Sequence, residues 1–492
     1  MRVPGGRGNA IIETACSMRL NLDAVIWHRS IYTKDLDEMT RAPDASLAAP
    51  GRLNTDCVCM TLDRTALHTA LSQETGDPAF GRGLIDSRPH LFADVAVFLD
   101  AAELAQMLRI IEAIEAVARH PAYQAAVLGW APASAAPDFG PRGVFMGYDF
   151  HLGQAGPALI EINTNAGGAA LNAALARAQR SCCADAALPD FMDLNAFEAA
   201  VGEMFMKEWH HQRDSGFPAT IAIIDDGPTT QYLYPEFLLM QRLLERHGHN
   251  VCIADPSELE YRDGELSRRG ERVDLVYNRL VDFSLDQPDH AVLRAAYLDG
   301  AVVVTPNPHI HALFADKRNL ALLSNSAQLT EWSVDPALAK ILSAGVPITE
   351  RVTPRNADRL WNDRKHLFFK PSAGYGSRAT YRGDKLTRSV WEAIRQGDYV
   401  AQAYVAPSER LIQLDGEKQK RKVDVRLYTY DGRMLLAAAR LYQGQTTNMR
   451  TAGGGFAPVL LMTAAGLSAA CSMCTPRSDA AASPPTTVNE DS

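Results

Sequence analysis

No block or stripe of basic residues runs through this 492-residue chain, and its formal net charge is -9. A nucleic-acid partner, which needs a concentrated positive face, is therefore not expected. The densest positive run, Lys418, Lys420, Arg421 and Lys422, is short and reads as a solvated loop. No apolar stretch reaches the ~20 residues that cross a bilayer. The nearest approach, Phe456 to Cys474, is broken by Pro458 and Gly466, so no membrane partner is expected. Residues 1–20 carry Arg2, Arg7 and Glu13 without a continuous apolar segment, which argues against a secretory leader and predicts a cytoplasmic protein. The cysteines, Cys16, Cys57, Cys59, Cys182, Cys183, Cys252, Cys471 and Cys474, are too scattered for a disulfide framework. Cys471-x-x-Cys474 lacks the second pair that a four-ligand zinc site needs. A Walker A pattern, a GxGxxG fingerprint and any internal repeat are also missing.

What remains has an ordinary globular composition, 47% hydrophobic and 22% charged. The length allows about two to four domains. Ordered structure is expected from Arg19–Trp27 onward, which makes Met18 an alternative start. Leu91 to Leu128 reads as helical, because apolar residues recur at spacings of three and four. A Pro/Ala-rich loop follows. Then "GVFMGYDFHL" and "PALIEINTN" read as two strands of a hairpin, followed by Gly167-Gly168 and an Ala-rich helix, Ala169–Arg180.

A second unit begins near Ala184. A helix over Phe197–His211 precedes "ATIAIIDD", "YPEFLLMQRLLERHGH", "NVCIADP", "VDLVYNRL" and "GAVVVTPNP". Short apolar strands alternating with helices imply a parallel, Rossmann-like sheet. Without the glycine fingerprint it need not hold a dinucleotide.

A third unit starts near His311 and holds most of the charge-bearing motifs. Lys317 opens a helix in "FADKRNLALLSN", where a solvated charge is the plain alternative. "FFKPSAGYGSRAT" puts Lys370 at the end of an apolar strand, before a loop with Ser372, Gly374, Gly376, Ser377 and Arg378. Small residues let backbone N–H groups approach phosphate oxygens, and the lysine adds a point charge. A surface hairpin with an exposed lysine is the competing reading. In "YVAQAYVAPSER", Gln402 to Val405 can present backbone to an adenine edge, and Ser408 or Glu409 can reach a ribose. Asp424 and Arg426 share one strand face by period two, and Asp431-Gly432 reads as a type I′ turn. Arg440 ends an apolar strand, so it must be paired or functional. Asn448, Arg450 and three glycines then form a polar turn suited to a ligand.

The front hairpin holds the complementary charges. Asp149 lies on one strand, and Glu161 and Asn163 share a face of the next. A lone carboxylate inside "ALIEI" would be costly to bury. Two carboxylates and an amide supply the oxygen ligands that Mg²⁺ on a nucleotide takes. A structural salt bridge is the alternative.

Together these residues resemble the ATP-grasp superfamily. There, one lysine precedes the nucleotide domain and a second precedes a glycine loop. A hinge strand and a "D-x-R … R … N … GG" stretch follow, and the fold ends in a Mg-binding "D … E-x-N". Here the last piece comes first. That order resembles the circularly permuted members, which include relatives of glutathionylspermidine synthetase, and the Asp424–Gly454 stretch resembles the ribosomal-protein glutamate ligase and glutathione-synthetase branches. The resemblance covers roughly residues 140–465.

The resemblance implies an α/β fold, α+β in parts. It implies a permuted ATP-grasp domain, a Rossmann-like pre-ATP-grasp domain and a partly helical N-terminal region. The divisions expected are 1–139, a substrate cap or dimerisation surface; 140–183, the permuted Mg-binding segment; 184–310, the Rossmann-like domain; 311–470, the ATP-binding domain; and 475–492, a disordered tail. Lys317, Lys370 and the loop from Ser372 through Gly374, Gly376 and Ser377 would hold ATP phosphates. Gln402, Tyr404 and Val405 would line the adenine site, with Glu409 at the ribose. Gln402-Ala403 stands where the family commonly has an acid. Asp149, Glu161 and Asn163 would bind Mg²⁺, and Arg440, Asn448 and Arg450 would serve catalysis. The activity implied is an ADP-forming carboxylate–amine ligase, with a small-molecule or peptide acid and an amine as partners. A phosphotransferase on the same fold and a non-catalytic nucleotide-binding protein are the alternatives.

Overall fold

The computed structural model describes residues 50–57, 62–153, 155–179, 194–374 and 379–462. Every element named belongs to one compact unit, from Asp44 onward. Met18, Gly376, Ser377, six of the eight cysteines and the tail from 475 lie outside the described residues.

The largest sheet has seven strands: β1 (Val97–Asp100), β2 (Met146–Gly153), β3 (Gly156–Asn163), β15 (Ser408–Leu414), β16 (Glu417–Tyr430), β17 (Arg433–Tyr442) and β18 (Gly455–Met462). Their order is β1-β18-β17-β16-β2-β3, with β15 also on β16. The expected hairpin is β2–β3, and Asp431 and Gly432 join β16 to β17 with φ of 48° and 75°, as a type I′ turn requires. β16 is long enough to serve two partners on one edge. Its first half pairs β15 and its second half pairs β2.

Period two along β16 sorts its two faces. Val423, Val425 and Leu427 enter a core shared with Tyr148, Phe150 and the helix Ala101–Ala118. Asp424 and Arg426 take the other face, where Tyr428 and Tyr430 continue into a second core with the helices Ala169–Arg177, Leu194–Gln212 and Tyr234–Arg246. One end of this face is therefore packed, and the end with the charges is left to line a cleft.

The stretch read as one helix from Leu91 is in part a strand. Val97, Phe98 and Leu99 are buried and pair in parallel with β18. Tertiary pairing overrides a local pattern that suits either state. Asp100 then starts the Ala101–Ala118 helix through a capping box with Glu103, and Pro121 restarts the chain as Pro121–Leu128. Through β1 the N-terminal region supplies one strand of the large sheet. Arg410 of β15, fully buried, anchors it further by donating to the backbone carbonyls of Ala96, Leu53 and Asn54.

The second sheet is parallel: β4 (Thr220–Ile224), β5 (Asn250–Ala254), β9 (Leu275–Asn278) and β10 (Val303–Thr305), ordered β10-β9-β4-β5. It is the doubly wound unit that the alternation of strands and helices predicts. A small antiparallel sheet, β6 (Leu259–Arg262), β7 (Glu265–Arg268) and β8 (Glu271–Arg272), hangs from it. A third, antiparallel sheet of β11 (Thr349–Arg351), β12 (Leu367–Pro371), β13 (Tyr381–Arg382) and β14 (Tyr399–Ala403) packs Phe369 and Ala401 against Trp391, Ile394 and Leu360. No described helix is long and apolar enough to cross a membrane.

Candidate functional site

A cleft of about 510 Å³ is lined on one side by Lys370 of β12 and Gln402 and Ala403 of β14, and on the other by Asp149, Glu161, Arg426 and Arg440 of β2, β3, β16 and β17. The loop 445–450 adds Asn448 and Arg450 to its wall. Seven cationic side chains, Lys317, Lys370, Arg382, Lys422, Arg426, Arg440 and Arg450, face two carboxylates, Asp149 and Glu161. On a chain of net charge -9 this is a concentrated positive field, suited to a polyanion.

Strand register explains the charge pattern. Glu161 is opposite Asp149, Asp149 is opposite Arg426, and Asp424 is opposite Arg440. Arg426 donates Nε and Nη2 to the two oxygens of Asp149 at 2.6 and 2.8 Å. Arg440 donates Nη2 to Asp149 Oδ2 at 2.7 Å and Nε to Asp424 at 2.6 Å. Asn163 Nδ2 adds a 3.0 Å bond to the same Asp149 oxygen. Burial alone would raise the Asp149 carboxyl, but Arg426 and then Arg440 outweigh it and hold it at about 2. The same carboxylates push Arg440 upward against its own burial. Gly147 permits this packing, since a Cβ there would lie 2.6 Å from that of Ala166 and 3.2 Å from Arg426 Nε.

Asp149, expected at the metal, is paired with arginines here. Both oxygens of Asp149 are engaged by guanidinium donors of Arg426 and Arg440. Among the described residues, no group of three or more His, Cys, Asp or Glu side chains is arranged to hold a metal. Glu161 differs. Its side chain is 33% exposed toward the cleft, with Lys317 Nζ at 3.2 Å. Burial would raise its carboxyl, yet Lys317 and Lys370 keep it below its ordinary value.

The two lysines converge on this carboxylate from different elements. Lys317 also donates to the Gly374 carbonyl at 2.8 Å, which ties it to the start of the glycine loop. Lys370 is nearly buried and donates to the Ile160 carbonyl at 2.7 Å and to Gln402 Oε1 at 2.9 Å. Burial lowers its ammonium to about 8, with the charge of Glu161 opposing.

Other expected residues are placed differently. Ser372 is buried with its hydroxyl on Asp398 at 3.0 Å, and its carbonyl accepts from the Lys317 amide rather than facing the cleft. Glu409 pairs on the surface with Lys420 at 2.8 Å and is not part of the cleft wall. Asn448 Oδ1 accepts from Arg450 N and Thr451 Oγ1, so its amide shapes the loop. Arg450 instead lies 5.7 Å from the Tyr232 ring at the wall. Gln402, Tyr404 and Val405 line the cleft, but the amides of Ala403 and Tyr404 already donate to Ile348 and His366.

His151 was not singled out from sequence. It lies two residues beyond Asp149 on β2, which is the signal that could have found it. Its Nδ1 is 2.8 Å from the Val405 carbonyl and its Nε2 is 3.4 Å from the Tyr442 hydroxyl, while burial depresses its pKa. Arg382 and Tyr232 also line the cleft and carry no local motif, and Lys422, from the positive run read as a solvated loop, lies on β16 and lines it too.

No family model and no curated protein matches the chain. Solved structures do. A glutathione synthetase-like effector from Globodera pallida, in its apo form, aligns at a TM-score of 0.52 and 11% identity, over 82% of this chain and all of that one. Weaker likenesses run to a candidate gamma-glutamylcysteine synthetase from Methylobacillus flagellatus KT (TM-score 0.43, 11% identity, 71% and 84% of the two chains). The ATP-grasp ligase PsnB complexed with minimal precursor aligns at 0.26, with 14% identity over 49% and 88%. With its lysine-bearing β12 sheet facing the Glu161 strand across one cationic cleft, this chain shares the overall fold of the glutathione synthetase-like effector.

Proposed function

We propose that the chain is an ATP- and Mg²⁺-dependent ligase that joins a carboxylate to an amine and forms ADP. The observation that carries this reading is the cleft in which Lys317 and Lys370 flank the one carboxylate, Glu161, that is open toward a ligand. Lys370 and Lys317 hold the phosphates, with Gly374 beside them. The base lies against Phe368, Ile160, Tyr404 and Val405, with His151 fixing the Val405 carbonyl.

Mg²⁺ bound to nucleotide needs only one or two protein oxygens and keeps its waters. Glu161 and the amide oxygen of Asn163 fit that demand. Asp149 holds the two arginines in place instead. The metal supplies neutralisation of phosphate charge when it is bound. Arg440, fixed by two carboxylates, faces the transferring group without reorganising.

The substrate carboxylate attacks the γ-phosphorus, the bond to the β-bridging oxygen breaks, and ADP leaves with an acyl phosphate formed. The amine then attacks the acyl carbon, phosphate leaves, and the amine loses its proton. Positioning and fixed charge supply the catalysis, and no side-chain nucleophile is needed. The test is an ADP-release screen over amino acids, short peptides and polyamines, with Glu161→Ala as control. AMP and pyrophosphate as products would refute the mechanism. A phosphorylated product without amide would mark a phosphotransferase, and tight nucleotide binding without turnover a sensor.

A further inference from the structure

The parallel sheet is ordered β10-β9-β4-β5, so the chain winds from β4 to β5 on one side and then to β9 and β10 on the other. The reversal falls between β4 and β9. In open α/β sheets, ligands bind at the carboxyl ends of the strands at such a switch point. Two charged residues emerge there, Asp225 directly after β4 and Arg279 directly after β9.

Arg279 is 7% exposed, and no carboxylate forms an ion pair with it among the described residues. Its Nη1 donates to the Asn165 carbonyl at 2.7 Å and reaches the Tyr277 hydroxyl at 3.4 Å. Its Nε is buried with no partner. A buried guanidinium that no carboxylate contacts directly, offset only by the more distant charges of Asp225 and Glu236 and by the rings of Phe237 and Tyr277, is costly. His311 Nε2 is a second buried atom without a partner, while its Nδ1 meets Thr164 Oγ1 and its ring stacks on Phe283 at 4.3 Å. Burial, then the charge of Arg279, lowers His311 to about 3, so its ring is neutral. Asp225 is equally secluded at 7% exposure. Burial pushes its carboxyl up to about 6, and Arg279 is the first of the charges that oppose this. Thr164, which meets His311, and Asn165, whose carbonyl accepts from Arg279, follow Asn163 of the cleft directly, so this switch point lies next to the cleft along the chain.

We propose that this switch point is the subsite for the amino-acid end of the co-substrate, with Arg279 taking its carboxylate and Asp225 its ammonium group. As a co-substrate site it rests on the ligase reading, but its binding chemistry does not. The test uses the full chain without nucleotide, titrated calorimetrically with the common amino acids and glycylglycine, and separately with Mg-ADP. At least one amino acid or the dipeptide binds the wild type. Arg279→Met weakens that binding by about 10- to 100-fold, the worth of a charge-assisted pair, and leaves Mg-ADP affinity unchanged. N-acetylation of the bound probe costs the wild type affinity and costs Asp225→Asn none. Should Arg279→Met fail to fold, Arg279→Lys and Asp225→Asn carry the same comparison. Binding of no member of the set, or wild-type binding by the Arg279 variant, overturns the proposal. Loss of Mg-ADP binding alone overturns the ligase reading and leaves this one standing.

Discussion

Arg426 grips Asp149 by two parallel hydrogen bonds, Nε to Oδ1 at 2.6 Å and Nη2 to Oδ2 at 2.8 Å, across 277 positions of chain. The two residues are direct cross-strand neighbours on β16 and β2. This bidentate pair fastens the early hairpin to the late strands and orients the wall of the cleft. It also occupies both oxygens of Asp149.

Breaking that pair is expected to cost stability first. Asp149→Ala leaves Arg426 buried without its partner and strips Arg440 of one of two, for a loss of about 3–5 kcal/mol in urea unfolding. Adding Arg426→Leu should recover part of the loss, because the uncompensated charge is then gone. A double variant as unstable as the sum of the two singles would show that the residues do not act as a pair.

Lys370 makes nucleotide affinity depend on pH. Its folded pKa of about 8 lies below the unfolded value of ~10.4. Between these the unfolded state binds more protons, so the group's contribution to stability rises with pH across that window, and its burial penalty is fully present below it. The phosphate-binding charge fades over the same range. ADP affinity, measured by calorimetry, should fall as pH rises through about 8. In Lys370→Arg it should stay level, and in Lys370→Met it should be weak throughout. An equally steep profile in Lys370→Arg would assign the titration to another group.

Glu161→Gln keeps size and polarity but removes the one carboxylate open to the cleft. Stimulation of nucleotide binding by Mg²⁺ should drop by about 10- to 100-fold, of the order seen when a metal site loses a supporting group. Metal-free ADP binding should change little or improve, since a negative charge has left the phosphate site. Undiminished Mg²⁺ stimulation would move the metal elsewhere.

Gly168 begins the helix that follows the Glu161 strand, with φ at +100°. A Cβ there would come within 2.3 Å of Phe456 Cζ. Gly168→Ala is expected to destabilise by about 1–3 kcal/mol from backbone strain, with overpacking added. Differential scanning calorimetry reads this as a lower melting temperature, and an unchanged one would contradict the turn geometry.

Much of the local architecture is legible without coordinates. The β2–β3 hairpin and the Asp431-Gly432 turn follow from strand-like runs and turn chemistry that act between near neighbours, and the parallel sheet from short apolar runs that alternate with helices. Glu161 and Asn163 share a face because side chains alternate along a strand. The run from Val97 to Asp100 misleads, because four apolar-rich residues ahead of a strong helix suit either state, and β18, their partner, lies at the far end of the chain. Ser372 and Glu409 sit in motifs that suggest a ligand, yet Asp398 and Lys420 claim their side chains.

The sequence by itself determined which residue types stand at which strand positions, and so which faces are apolar and which charged. Only the tertiary structure decided how those charges pair. Whether Asp149 meets one guanidinium or two, and whether Arg279 gains a direct ion pair, depends on how distant strands dock. Electrostatic energy depends on distance through space in a low-dielectric interior, and chain order does not encode that distance.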